Sequence, residues 1–160
     1  MKILQSGEGE LEIVVEEESE WFLLDSICND AALSGDDWLA DRLSETMDEE
    51  SCWDDIVTPE LSEKFRGQVQ VVKRALAKAF QEAVGKDQSS GTSILIKKEE
   101  AEEWYGALNQ AGLVLESEFK LSEIEDYDPA KIPGPALAAL GRSQFYLRLK
   151  SYIFTMCMED

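Results

Sequence analysis

Glu99, Glu100 and Glu103, followed by Glu123 and Asp126, are the side chains whose type and spacing come nearest to a reaction centre in this sequence. Carboxylates three or four residues apart on a helix share a face, and a hard cation such as magnesium prefers oxygen ligands of this kind. An ion held there would polarise a phosphoanhydride for hydrolysis. Helical geometry argues against convergence. Taking about 100° per residue from Glu99, the apolar positions Ala101, Trp104, Leu108, Ala111, Leu115 and Phe119 centre near about 180°, whereas Glu99 and Glu103 lie at about 0° and 40°. Asp126 also falls beside a cluster of helix breakers. In a chain with 34 acidic residues, matching carboxylates arise cheaply by chance, and a solvated helix start that complements the macrodipole explains them.

The spacing Glu99-Glu100-x-x-Glu103 with Glu123-x-x-Asp126 resembles the carboxylate signature of the all-helical MazG-type nucleoside triphosphate pyrophosphatases. That resemblance implies a magnesium-dependent hydrolase as the alternative to a chain without catalytic or metal-binding residues. Other enzyme signatures are missing. The sequence contains no histidine, which removes Ser-His-Asp and Cys-His catalysis and His-ligated metals. It also lacks a Walker loop, a Rossmann glycine fingerprint, a GxSxG elbow and an EF-hand loop. No cofactor is expected.

Trp21, Trp38 and Trp53 offer a different chemistry, because all three lie among acidic residues that include Asp36, Asp37, Asp54 and Asp55. Charge steers an encounter and a large aromatic anchors it, so these seven residues are the candidate partner-binding set. The competing reading is that each tryptophan pins a short helix to the core. Charge distribution favours a basic partner. Of the net −19, residues 1–63 carry −18 (20 acidic residues against Lys2 and Arg42), and residues 64–160 carry −1 (14 acidic, 13 basic). Such a chain repels nucleic-acid phosphates and anionic membranes, so direct binding to either is not expected. A nucleic-acid mimic, occupying the groove of a DNA-binding protein, is a second alternative.

The start of the chain has no long apolar run of a signal peptide, and no segment approaches the roughly 18 apolar residues of a membrane span. A cytoplasmic protein is expected. Cys28, Cys52 and Cys157 are odd in number and widely spaced, so they are expected as small buried residues rather than as a disulfide or zinc framework.

At 160 residues and 44% hydrophobic content the chain suits one domain, spanning 1–160, with an acidic half (1–63) and a near-neutral helical half (64–160). Leu11, Ile13 and Val15 alternate with acidic and apolar neighbours, which predicts a strand over 10–16 paired with 2–5 across Ser6-Gly7-Glu8-Gly9. Ser19 is expected to cap a helix running towards Leu33, and Ser34-Gly35-Asp36-Asp37 a second one at Trp38. A third short helix is expected around Trp53 and Ile56. Thr58-Pro59 then starts a long helix, 59–84, whose stripe is Leu61, Phe65, Val69, Val72, Leu76, Phe80 and Ala83, with Lys64, Arg66, Lys73, Arg74 and Lys78 on the opposite face, solvated and partly paired within the chain. A polar loop over 86–92, a strand over 93–97 and a helix over 98–119 follow. Asp128 to Pro135 is a breaker-rich loop, and the last helix, 136–157, is apolar on several sides and is expected at the centre of the core. The predicted class is α+β, mainly helical, with a small antiparallel or mixed sheet.

The stretch from Ile96 to Leu115, in which Trp104, Ala107, Leu108, Asn109, Leu113 and Leu115 follow a strand and an acidic helix start, resembles an uncharacterised bacterial family of unknown function. The resemblance implies a mainly helical cytoplasmic domain with no assigned catalytic residues. Taken with the charge asymmetry, the expected role is a non-enzymatic binding or regulatory protein that presents an acidic surface to a basic protein.

Overall fold

Alternation of apolar side chains produces the sheet. The computed structural model describes residues 1–7, 9–47, 52–84, 92–124, 126 and 128–158. Strands β1 (Lys2–Gln5) and β2 (Leu11–Val15) form an antiparallel hairpin with Ile3 opposite Ile13, closed by the Ser6 N–H donating to the Glu10 carbonyl at 2.9 Å. Gly7 and Gly9 adopt positive φ in the connector, a conformation that costs glycine little. Strand β3 (Thr92–Ile96) pairs antiparallel with β2, Ile94 opposite Ile13, giving the order β1-β2-β3. Leu11, Ile13, Val15, Ile94 and Ile96 are buried on one face, while Ser93 and Leu95 point outwards. The sheet is thus wholly antiparallel.

Six α-helices occur among the described residues, of which α1 and α3 pack against the sheet. Helix α1 (Glu18–Ala31) does not use Ser19 as its cap; Glu20 reaches back, its carboxylate accepting from the N–H groups of Glu16 and Glu17 at 2.7 and 3.1 Å. A carboxylate in the first turn both fills orphan donors and complements the macrodipole, which a serine hydroxyl does only in part. Helix α2 (Trp38–Ser44) follows as expected. Helix α3 (Trp53–Val84) merges two expected helices, with Pro59 inside it. Proline denies one carbonyl its hydrogen bond, a loss that water can satisfy this close to the helix start, where Asp55, Ile56 and Pro59 are exposed. The expected loop over 86–92 lies outside the described residues except for Thr92, which begins β3.

Helix α4 (Ala101–Phe119), preceded by a 3₁₀ turn at Lys98–Glu100, is the central element, packed against α1, α3 and α6. Eight of its residues are buried, among them Trp104, Leu108 and Leu115, and small residues at Gly106, Ala107 and Ala111 let neighbours approach. Helix α5 (Leu121–Ile124) is one turn, reached through Lys120 in the left-handed region. The breaker cluster contains a 3₁₀ turn, Pro129–Lys131, and α6 (Gly134–Ile153) begins two residues earlier than predicted because Pro135 fits the first turn of a helix. A π-helical turn, Phe154–Met158, extends it.

The expectation that the last helix occupies the centre is corrected. Helix α6 buries Ala139, Tyr146, Leu149 and Ile153, while Leu137, Leu147 and Tyr152 on its other sides are exposed, Leu147 at 64%. Apolar residues all round a helix do not distinguish a central position from a one-sided one; α4, with eight buried residues, takes the centre. Strands β2 and β3 and helices α1, α3, α4, α5 and α6 share one hydrophobic core, so the domain is α+β and mainly helical. No described helix is long and apolar enough to cross a membrane.

Candidate functional site

Three of the seven candidate partner-binding residues meet at the turn between α1 and α2. Gly35, at φ +104°, reverses the chain, its N–H donating to the Ala32 carbonyl at 3.0 Å, and Ser34 Oγ donates to Glu118 Oε1 at 2.7 Å, tying the turn to the end of α4. The turn and α2 line a shallow cleft of about 400 Å³ that brings Asp36, Asp37 and Trp38 together with Asp41, Arg42 and Glu45. Arg42 pairs with Glu45 at 2.8 Å, and Arg66 of α3 lies 3.6 Å from Asp37. Asp36 and Asp41 have no cationic partner among the described residues. Asp36 and Asp37 are exposed and Trp38 is half-buried. The cleft keeps surplus negative charge beside an aromatic edge.

Trp53, Asp54 and Asp55 do not line that cleft. They form the first turn of α3, with both aspartates exposed and Trp53 half-buried. Trp21 stands apart again, in an apolar pocket of about 410 Å³ between α1 and α3. Its ring meets Phe80 edge-on, centroids 5.7 Å apart and planes at 89°. Phe80 was expected inside the core stripe of α3, but it is 54% exposed, because the buried face passes from Val72 and Leu76 to Ala79, one residue short of it. Phe22, 71% exposed, and Leu76 complete the apolar lining, and Glu18 and Asp25 flank it.

The five carboxylates considered for magnesium are distributed over both ends of α4. Glu99 and Glu100 occupy the 3₁₀ turn before it and Glu103 its first turn, whereas Glu123 and Asp126 follow its C-terminus. At 1.5 Å per residue the helix separates the two groups by roughly 27 Å. No group of three or more metal-ligating side chains occurs among the described residues. Glu103 is half-buried, unlike its expected position facing away from the core, and its Oε2 has no partner among the described residues.

The sequence profile of a family described as a domain of unknown function, DUF2017, matches residues 4–147. The chain belongs to that family. Neither a curated protein nor a solved structure matches it. The span matched by DUF2017 includes every candidate residue described above.

It also contains polar residues that periodicity alone did not bring forward. Asp30 of α1 is buried, and Arg142 of α6 grips it through Nε at 2.7 Å and Nη2 at 3.1 Å. Tyr146 Oη donates to Asp30 Oδ2 at 2.5 Å and lies 2.8 Å from Ser26 Oγ. Burial, then the Asp30 carboxylate, pushes the Tyr146 hydroxyl well above its ordinary range, and the bond to Asp30 raises the Arg142 guanidinium. A hydroxyl so held has no free proton to trade at neutral pH, and the cluster fastens α6 to α1. Beside it Lys150 donates to Asn109 Oδ1 at 3.1 Å and stands 5.5 Å from the Tyr105 ring; burial lowers its pKa. Of these, only Asn109 was marked by the motif, as part of the family resemblance. Asp30 and Arg142 are 112 positions apart, a distance no local spacing rule spans.

The cysteines need one correction. Cys157 is buried and Cys28 half-buried, but Cys52 is exposed, at φ +51° just before α3. All three are free thiols.

Proposed function

We propose that this protein is a non-enzymatic binding or regulatory protein that presents an acidic surface to a basic protein partner in the cytoplasm. The observation that carries the reading is the α1–α2 cleft, where Asp36, Asp37, Asp41 and Glu45 surround Trp38 against a single lining cation, Arg42. The basic face of α3 neutralises this surface only in part: Arg66 reaches Asp37 at 3.6 Å between exposed groups, while Lys64 is turned to Glu102 of α4 instead. Exposed pairs of this kind contribute only up to about 1 kcal/mol and exchange readily for an external partner. The same charge disfavours nucleic acid and anionic membranes as ligands. Trp104, Ala107, Leu108, Asn109, Leu113 and Leu115 serve, in this reading, as the signature of a bacterial family and as core and α4–α6 packing rather than as the contact surface.

The test is a pull-down from source lysate at low and high salt, read by mass spectrometry and repeated with Asp36→Asn/Asp37→Asn. A basic protein retained at low salt, released at high salt and lost with the variant is expected. Recovery of no salt-sensitive partner contradicts the proposal.

A further inference from the structure

The pocket between α1 and α3 exposes more aromatic surface than the fold requires. Glu18, Trp21, Phe22 and Asp25 recur at i, i+3, i+4 and i+7, so one face of α1 reads acid, aromatic, aromatic, acid. Phe80 of α3 forms the opposite wall, edge-on to Trp21 at 5.7 Å, and Leu76 the floor. Phe22 and Phe80 are 71% and 54% exposed, although the core is close by at Leu24, two residues along α1, and at Leu76, one turn back on α3. Among the described residues no cation lines the pocket. Lys73 lies one turn before Leu76 on the same face of α3, and its charge also reaches Cys28 of α1.

Aromatic faces attract a guanidinium or ammonium group within about 6 Å, apolar walls accept the methylene stem behind it, and flanking carboxylates neutralise its charge. A volume of about 410 Å³ is within the range of a site that takes one or two side chains. We propose that this pocket is the anchor point for the basic partner: it takes an arginine or lysine, with an adjoining apolar residue, from a segment of another protein. The inference rests on the reading above, and it adds where the partner is gripped and by which chemistry. The acidic cleft at α2 then steers the encounter, and the aromatic pocket holds the segment that arrives.

The test uses a short fluorescein-labelled peptide of repeated leucine–lysine–arginine triplets, with a leucine–glutamate–glutamine peptide as the charge-reversed control. Anisotropy titrations are run on the full chain and on Phe22→Ala/Phe80→Ala, Glu18→Gln/Asp25→Asn and Asp36→Asn/Asp37→Asn. Leu147→Ala, an equally exposed apolar residue on α6, reports generic stickiness, and circular dichroism confirms that each variant is folded. The basic peptide is expected to bind the wild-type chain and Leu147→Ala alike. Removing both phenylalanines should cost about tenfold in affinity, the product of two cation–π contributions. If Phe22→Ala/Phe80→Ala binds as tightly as wild type while Asp36→Asn/Asp37→Asn binds more weakly, the pocket assignment is wrong and the acidic-surface reading stands. Failure of the wild-type chain to bind the basic peptide overturns both. Sedimentation that shows a wild-type dimer dissociated by Phe22→Ala/Phe80→Ala also overturns the assignment, since the occupant is then a second copy.

Discussion

Asp30 receives three hydrogen bonds, two from Arg142 and one from Tyr146, and is thereby the best-satisfied buried charge in the described structure. Cys28 on the same helix and Tyr146 of α6 have pKa values that make stability sensitive to alkali. Burial, followed by the nearby Asp25 carboxylate, raises the Cys28 thiol from its ordinary 9.0 to about 11, and burial raises Tyr146 above its ordinary 10.0. Both groups prefer to stay neutral in the folded chain, so their contribution is complete below the unfolded values. It is lost as pH rises, from pH 9 to about 11 for Cys28 and from pH 10 upwards for Tyr146. Urea midpoints followed against pH should therefore fall across that window, with a shallower fall between pH 9 and 11 in Cys28→Ala. Equal slopes for wild type and variant would show that the thiol is not held by burial. None of this was legible in the sequence, because the groups that set these values come from α1, α3 and α6, and composition carries no information about which distant carboxylate meets which guanidinium.

At the scale of elements, legibility tracked how local the cause was. Strand β2 lies within the 10–16 that alternation marks, since the period of two is set within five residues, and β3, marked by its short apolar run over 93–97, spans Thr92–Ile96. Trp53 to Val84 is one helix because nothing in the turn before Pro59 competes with helical geometry, a fact that a proline alone misrepresents. The position of α4 depends on small residues whose value lies in what approaches them. Gly106 shows this most clearly: a Cβ built there overlaps the side-chain amide of Gln68, which is buried and accepts from Gln110 Nε2 at 2.8 Å. Alanine for glycine in a helix gains about 1 kcal/mol in propensity, whereas displacing a buried amide from its partner costs about 1–3 kcal/mol. Gly106→Ala should lower stability by about 1 kcal/mol, and the same change on a Gln68→Ala background should raise it. Chemical denaturation of the four proteins decides this. If Gly106→Ala stabilises the wild-type background, Gln68 does not need the space.

For the whole molecule, the charge boundary near Glu63 corresponds to a surface rather than to a domain limit. Residues from both sides of it, Leu11, Leu24, Leu108 and Ile153 among them, share one core. Most acidic residues of the first 63 are exposed, Asp30 being buried against Arg142, and Arg66 of α3 meets one of them, Asp37. The candidate tryptophans were visible in the sequence, but their separation into a cleft at Trp38, a helix start at Trp53 and a pocket at Trp21 was not, because it depends on how α2 and α3 pack. Binding of a basic protein by the acidic surface is decided by titrating the chain and Asp36→Asn/Asp37→Asn/Asp41→Asn with poly-L-lysine over a series of salt concentrations. Wild-type binding is expected at low salt, weakening about tenfold on approaching 0.15 M, with a shallower salt dependence in the variant. Absence of binding at low salt, or a salt dependence unchanged by removing the three carboxylates, would contradict it.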